Sequence, residues 1–216
     1  MTGAVLFDMD GVLLDSREAV LATLAGIATA ALGRRVAITD LPRAAATTPR
    51  AEVLAGLGVR NPDALCATWW DPALATAATA LFPGVLDGLA AIKDAGIATG
   101  LVTLQKRGRL PWLLPPGVLA LLDVTVCRED AAPKPAPDGV RLALARLGVG
   151  PAEAVFLGDT PGDIRAALAA GVTPVGAGWG YAGAQALRDA GAAVVLHDPG
   201  WIGPGLLGHR VTAPAR

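Results

Sequence analysis

Short apolar runs alternate with helix-like segments over most of the chain. Segments such as 160–171 carry apolar residues at helical spacing and end in glycine, the usual residue after a helix C-terminus. The runs that we interpret as strands are 3–7, 97–103, 124–127, 154–158, 172–176 and 192–196. This repetition predicts an α/β fold, a Rossmann-like parallel sheet with crossover helices, whose strands are apolar because both faces of the sheet are buried.

The alternation is interrupted by one long segment, 15–81, in which the pattern predicts helices and no convincing strand. The first of these helices is expected to begin at Asp15 or Ser16, both of which are residue types that cap helices. We therefore predict a small α-helical domain at 15–81. It is inserted after the first strand of a core domain made of 1–14 and 82–216.

Composition narrows the class of protein. The 216 residues are 53% hydrophobic and carry a net charge of −1, and the basic residues form no stripe, so neither nucleic acid nor a membrane surface is an expected partner. The opening MTGAVLF lacks the basic region of a signal peptide, which predicts a cytoplasmic protein. After Pro204 the chain is rich in glycine and proline, and we expect a loosely ordered tail. The oligomeric state is left open.

Several chemistries are excluded by counting residues. Ser16 is the only serine and lies in no G-x-S-x-G context, which argues against a serine hydrolase. The two histidines, His197 and His209, both lie near the C-terminus, and the two cysteines, Cys66 and Cys127, are interpreted as small core residues. The acidic residues therefore carry most of the remaining catalytic options.

Polar residues end or follow four of the predicted strands. They are Asp8 and Asp10 after the first strand, Thr103 at the end of the second, Lys134 in the loop after 124–127, and Asp159 with Asp163 after 154–158. In an open parallel sheet, ligands bind beyond the carboxyl ends of the strands. The sequence therefore predicts that carboxylates, a hydroxyl and an amine meet at one edge.

These residues stand in four motifs that resemble, in order and spacing, those of the haloacid dehalogenase-like (HAD) phosphohydrolase superfamily. The motifs are DMDGV at 8–12, Thr103, KPAPD at 134–138 and GDTPGD at 158–163. The resemblance covers nearly the whole chain, and the helical insert is similar to the α-helical cap of the family. The segment GWGY at 178–181 and the residues after it resemble phosphoglycolate phosphatase-like members.

The resemblance implies a Mg²⁺-dependent phosphatase acting on a small phosphorylated metabolite, phosphoglycolate- or sugar-phosphate-like, through an aspartyl-phosphate. Asp8 would be the nucleophile, and Asp10 would protonate the leaving group and then deprotonate the attacking water. The ligands of Mg²⁺ would be the carboxylates of Asp8 and Asp159 and the backbone carbonyl of Asp10, since this hard cation prefers oxygen.

The other motif residues have supporting roles in this resemblance. Thr103 and Lys134 would bind the phosphoryl oxygens, and Asp163 would support the metal ligands through water or hold Lys134 in place. Arg50, between predicted helices of the cap, could meet a second anionic group of the substrate or be a solvated arginine at the start of a helix.

Two alternatives stay open. One is a phosphomutase of the β-phosphoglucomutase type, although such enzymes usually carry a histidine in the region between core and cap, and none precedes His197 here. The other is a catalytically silent HAD-like binding or regulatory protein. The chain also departs from the family at Leu104, where asparagine often follows the motif-two threonine, so a neighbour such as Gln105 could substitute for it.

Overall fold

A computed structural model describes residues 3–208 of the chain, which divide into two compact units. The described part of the first unit consists of 3–15 and 81–208, and the second unit consists of 16–80. The first unit contains two clusters of buried apolar side chains and the second unit contains a cluster of its own.

The described residues form eight strands, numbered in chain order. They are β1 (Ala4–Phe7), β2 (Leu14–Asp15), β3 (Ala80–Leu81), β4 (Ala98–Val102), β5 (Val124–Val126), β6 (Ala154–Gly158), β7 (Thr173–Ala177) and β8 (Val194–Leu196). The two-residue strands β2 and β3 pair with each other, and their pairing corrects the expectation that the segment 15–81 contains no strand. Two residues are too short to display the alternation by which strands are recognised in a sequence.

Ten α-helices and four short 3₁₀ helices lie between these strands in the described part of the chain. The α-helices are α1 (Arg17–Leu32), α2 (Arg50–Gly56), α3 (Pro62–Leu74), α4 (Val85–Asp94), α5 (Leu110–Leu113), α6 (Pro116–Ala120), α7 (Asp138–Leu147), α8 (Pro161–Ala170), α9 (Gly183–Asp189) and α10 (Ile202–Gly208). The 3₁₀ helices are Ile38–Asp40, Arg107–Arg109, Pro151–Glu153 and Pro199–Trp201.

Six strands form one sheet in the order β5-β4-β1-β6-β7-β8, and every neighbouring pair is parallel. The predicted α/β fold with a parallel sheet and crossover helices is thereby confirmed. The strand β1 lies inside the sheet, with Val5 paired to Thr99 on one side and to Val155 on the other. The carboxyl ends of β1, β4 and β6 consequently lie side by side.

Alternate residues of the central strands enter two separate apolar cores, as the pleat of a strand requires. Val5 and Phe7 pack with the side chains of α4 and α10, whereas Leu6 packs with those of α7 and α8. Because helices cover both faces of the sheet, an uninterrupted apolar strand such as β1 exposes no apolar side chain to solvent.

The helix α10 contradicts the expectation of a loosely ordered tail after Pro204, as far as the described residues reach. Ile202 and Leu206 are buried in the core beside α4. Gly88 of α4 allows the close approach, because a Cβ there would lie 2.9 Å from the Cβ of Ile202. Burial of these apolar side chains outweighs the low helix propensity of the glycines. The part of the predicted tail at 209–216, with His209, lies outside the described residues.

The second unit is helical and packs α1, α2 and α3 around the buried side chains of Leu24, Leu54 and Trp70. The guanidinium of Arg50 lies over the ring of Trp70, 3.9 Å from its centroid. Cys127 is buried in the first unit and Cys66 is half-buried against the core of the second. Among residues 3–208, no helix combines the length and the apolar character that crossing a bilayer would require.

Candidate active site

Asp8 directly follows β1 and is fixed by the sheet. Its backbone N–H donates to the carbonyl of Leu157 at 2.9 Å, which continues the pairing of β1 with β6 by one residue. After Asp8 the chain turns sharply, and the carbonyl of Met9 accepts hydrogen bonds from the N–H groups of three following residues, Val12, Leu13 and Leu14. The Asp8 side chain is therefore held on rigid backbone at the carboxyl edge of the sheet.

Lys134 joins two of the predicted site carboxylates. Its Nζ lies 2.7 Å from Asp8 Oδ1 and 2.6 Å from Asp163 Oδ1, and it donates to the carbonyl of Val102 at 3.2 Å. The lysine side chain is only 8% exposed, so this ion-pair geometry is largely shielded from solvent. Lys134 is thus oriented on three sides by the protein.

Asp159 follows β6 and is fully buried. The backbone N–H of Tyr181 donates to Asp159 Oδ2 at 2.7 Å, whereas Oδ1 is buried and accepts no hydrogen bond from the residues that the structure describes. Two glycines leave room for this carboxylate. A Cβ on Gly11 would lie 2.1 Å from Asp159 Oδ2, and one on Gly180 would lie 2.2 Å from Asp159 Cβ.

Asp163 is held by the start of α8. Its Oδ2 accepts hydrogen bonds from the backbone N–H of Thr160 at 2.9 Å and from the Thr160 hydroxyl at 2.6 Å, in a capping box at the N-terminus of the helix. Its other oxygen faces Lys134. Because both oxygens have partners, Asp163 is suited to holding the lysine in place.

The donor atoms fit a divalent cation. Carboxylate oxygens of Asp8, Asp159 and Asp163 lie within 4.8 Å of one another, and all three residues are buried. In the described part of the chain Asp159 Oδ1 accepts no hydrogen bond, so it can offer a lone pair to a cation. Hard cations such as Mg²⁺ prefer ligands of this type. The buried aspartates therefore could hold a metal ion.

The pKa values describe the same excess of negative charge. Burial raises the pKa of Asp8 to about 7, and the charge of Lys134 only partly opposes it. Burial, with the charges of Asp163 and Asp8, raises the pKa of Asp159 well above its ordinary range. For Lys134 burial acts against the charged form, but the two neighbouring carboxylates outweigh it and raise the lysine pKa. A further positive charge would be needed to keep all of these carboxylates ionised near neutral pH.

Asp10 and Thr103 are linked to each other through Gln105. The Gln105 Nε2 donates to Asp10 Oδ2 at 2.8 Å, and the Gln105 backbone N–H donates to the Thr103 hydroxyl at 3.1 Å. Thr103 is buried directly after β4. The side chain of Asp10 is thus held by a residue of the segment that follows β4.

The sequence motifs alone assign no role to several residues that order this site. The backbone of Tyr181, the glycine at 180 and the hydroxyl of Thr160 all fix the position of a carboxylate. The Trp179 indole, next to them, donates to the carbonyl of Val12 at 3.2 Å. The glycine-rich GWGY directly after β7 is the signal in the sequence for this loop.

The chain is similar to a known protein family and to named relatives. The chain matches the model for haloacid dehalogenase-like hydrolases over residues 2–171. It is 32% identical over 192 residues to pyrophosphatase PpaX of Bacillus velezensis, with 85% of this chain and 87% of that protein covered. It is also 35% identical over 123 residues to phosphoglycolate phosphatase of Salmonella typhimurium, but this match spans only 46% of that protein and 56% of the chain.

A solved structure extends the similarity to the fold. A Thermotoga maritima protein assigned as a β-phosphoglucomutase superposes with a TM-score of 0.74 at 26% sequence identity. The superposition covers 95% of this chain and 98% of that protein.

Proposed function

The chain belongs to the haloacid dehalogenase-like hydrolase family and is a phosphatase of that family, and on this premise we propose that it hydrolyses a small phosphorylated metabolite through an aspartyl-phosphate on Asp8. The observation that carries the proposal is the placement of Asp8, which is buried, paired with Lys134 and next to an Asp159 oxygen that accepts no hydrogen bond from residues 3–208. A carboxylate held against a lysine in this way is an oriented nucleophile.

We propose that a divalent cation, Mg²⁺ by its oxygen donors, is held by the carboxylates of Asp8 and Asp159 and the backbone carbonyl of Asp10. When bound, the cation would supply positive charge that offsets the repulsion of the Asp8 carboxylate and the phosphate for each other. Asp163 keeps Lys134 in place beside them. The raised pKa values of Asp8 and Asp159 support this assignment, because burial, with the neighbouring carboxylates, disfavours the charged forms that a bound cation would favour.

In the first step an Asp8 oxygen attacks phosphorus and the bond to the leaving-group oxygen breaks. Lys134 and Thr103 bind the phosphoryl oxygens, together with backbone N–H groups after Asp8. Asp10 gives its proton to the leaving oxygen. In the second step Asp10 takes a proton from the water that attacks the aspartyl-phosphate, which restores both carboxyl groups and releases phosphate.

The second unit is proposed to act as the cap that selects the substrate. Its Arg50 is oriented by Trp70 and offers a guanidinium for a second anionic group. The names of the two relatives direct attention to small phosphate substrates, since one is a pyrophosphatase and the other a phosphoglycolate phosphatase. A phosphoglycolate- or sugar-phosphate-like metabolite is consistent with both the site and the cap.

The test is hydrolysis of p-nitrophenyl phosphate and of a panel containing phosphoglycolate, sugar phosphates and inorganic pyrophosphate. We expect turnover with Mg²⁺, loss of turnover with a chelator, and recovery when Mg²⁺ is restored. Asp8→Asn should be inactive while binding Mg²⁺ less tightly. Wild-type protein that releases no phosphate from any compound with Mg²⁺ present would refute the proposal.

A phosphomutase is the second candidate, and the likeness to the Thermotoga maritima structure favours it. The distinction is whether the aspartyl-phosphate passes its phosphoryl group to water or to a second sugar phosphate. Isomerisation of a hexose 1-phosphate that is faster than phosphate release would establish the mutase reaction.

A further inference from the structure

We infer that Gln105 is a positioning residue that holds Asp10 in place for proton transfer to and from the reacting oxygens. The inference rests on the proposed function, because it assigns a partner to the acid and base of that reaction. It concerns a residue outside the four motifs, at a place where this chain departs from its family.

The contacts of Gln105 are those of a fixed residue. Gln105 is only 5% exposed, and its Nε2 donates to Asp10 Oδ2 at 2.8 Å. Its backbone N–H donates to the hydroxyl of Thr103, and its carbonyl accepts from the N–H of Arg128 at 3.1 Å. Both the backbone and the amide of Gln105 are therefore anchored.

Arg109 determines which end of the amide faces Asp10. The guanidinium Nη1 lies 2.8 Å from Gln105 Oε1. Because a guanidinium can only donate hydrogen bonds, the amide oxygen must face Arg109 and the amide NH₂ must face Asp10. The chain Arg109, Gln105, Asp10 thus delivers a neutral donor to one oxygen of the carboxyl group.

A residue that acts as general acid and then as general base must be held in a fixed orientation, and these contacts fix Asp10. With Oδ2 of Asp10 held by Gln105, the carboxyl group has a fixed orientation from which to give a proton to the leaving group as the Asp8–phosphorus bond forms. The same carboxyl group accepts a proton from water in the second step. General acid–base catalysis contributes about 10²–10⁴-fold to rate when the group is correctly placed.

Leu104 cannot form a hydrogen bond with Asp10 through its side chain, which explains why Gln105, the next residue, does so. It occupies the position after the motif-two threonine where asparagine is frequent in the family, and it is 42% exposed with no polar group to offer. Gln105 has one more methylene than asparagine and reaches Asp10 from one position further along the chain.

The experiment measures kcat/KM for a series of phosphate monoesters that runs from 2,4-dinitrophenyl phosphate, with a good leaving group, to glycerol 2-phosphate, with a poor one. In Gln105→Met, a substitution of similar shape without a donor, we expect a loss of about tenfold or more on the alkyl ester and a much smaller loss on the dinitrophenyl ester. A good leaving group needs no proton. Leu104→Ala, the neighbouring exposed control, should leave the whole series unchanged.

A double-mutant cycle with Asp10→Asn separates positioning from a structural role. If Gln105 acts through Asp10, Gln105→Met should cause almost no further loss in the Asp10→Asn background. Equal losses on all esters, or additive losses in the cycle, would overturn the inference. If Gln105→Met fails to fold by circular dichroism, Gln105→Asn, which is too short to bridge Asp10 and Arg109, is measured instead with the same expected pattern.

The two proposals fail in different ways. Wild-type turnover with unchanged Gln105 variants refutes the role of Gln105 alone. Absence of Mg²⁺-dependent turnover by the wild type refutes the proposed function, and the role of Gln105 with it.

Discussion

At the scale of single residues, the site concentrates negative charge that the protein alone does not balance. Asp8, Asp159 and Asp163 lie close together, Asp8 and Asp163 are ion-paired with Lys134, and burial raises the pKa of both Asp8 and Asp159. Such a cluster destabilises the folded chain near neutral pH unless a cation joins it. We attribute the cost to function, because these carboxylates lie where a metal and a phosphate would be bound.

The first prediction concerns the stability of the metal-free protein. The pKa of Asp8 rises from 3.8 to about 7 on folding, so the folded state holds this proton more tightly than the unfolded chain does. The resulting stabilisation is present below pH 3.8 and is lost as pH rises to about 7. In a chelator, urea unfolding should show the wild type losing stability relative to Asp8→Asn across this window, at about 1.4 kcal/mol per unit of pKa shift. A difference between the two proteins that does not change with pH would contradict it.

The second prediction concerns the metal. Because the ligands must be ionised, Mg²⁺ should raise the melting temperature clearly more at pH above the Asp8 value of about 7 than well below it. Asp159→Asn should lose most of this increase. The control Asp94→Asn, at an exposed position, should keep it. Equal shifts in the two variants would show that Mg²⁺ binds elsewhere.

At the scale of elements, the loops after the strands determine where the carboxylates point. The sheet explains why Asp8, Thr103 and Asp159 are neighbours, since each directly follows one of three adjacent parallel strands. The turn after β1 and the GWGY segment after β7 then close around Asp159. Glycine is required at 11 and at 180 because any side chain would occupy the space of the carboxylate.

The third prediction tests this closure. Gly180→Ala places a Cβ 2.2 Å from Asp159 Cβ and 2.6 Å from the carbonyl oxygen of Gly11, so the loop or the carboxylate must move. We expect weaker Mg²⁺ binding by calorimetry and a destabilisation of about 1–3 kcal/mol. Gly26→Ala is the control, because a Cβ there meets nothing within 4 Å and should stabilise α1 by roughly 0.5–1 kcal/mol. Unaltered Mg²⁺ affinity in Gly180→Ala would contradict the proposed metal position.

At the scale of the whole molecule, the sequence predicts the architecture better than the details of the site. Buried parallel strands are uniformly apolar, and several of the helices between them end in glycine. The sheet and the residues at its carboxyl edge can therefore be predicted from the sequence. The partnership of Gln105 with Asp10 spans 95 positions and leaves no local signature. The sequence pattern does not predict the helix α10, because its glycines and proline oppose helix formation and packing against α4 compensates for them.

The fourth prediction concerns the proposed cap. If Arg50 binds a second anionic group of the substrate, Arg50→Met should raise KM about tenfold for phosphoglycolate-like substrates. The KM for p-nitrophenyl phosphate should stay nearly the same. Methionine retains part of the apolar contact with Trp70, which limits the effect on folding. Arg43→Met, at an exposed position of the same unit, is the control. A parallel rise in KM for both substrates would assign Arg50 a structural role.

The central proposal is that phosphate transfer passes through Asp8, and trapping the phosphorylated enzyme tests it most directly. A reaction of wild-type protein with Mg²⁺ and substrate is quenched in acid during the first turnovers. The protein is then digested, and the masses of its peptides are measured by mass spectrometry. We predict that the peptide containing Asp8 gains the mass of one phosphoryl group, that hydroxylamine removes it, and that Asp8→Asn shows no such gain. Phosphate release by an active wild type with no phosphorylated peptide at any time, or phosphorylation at another residue, would contradict the proposal.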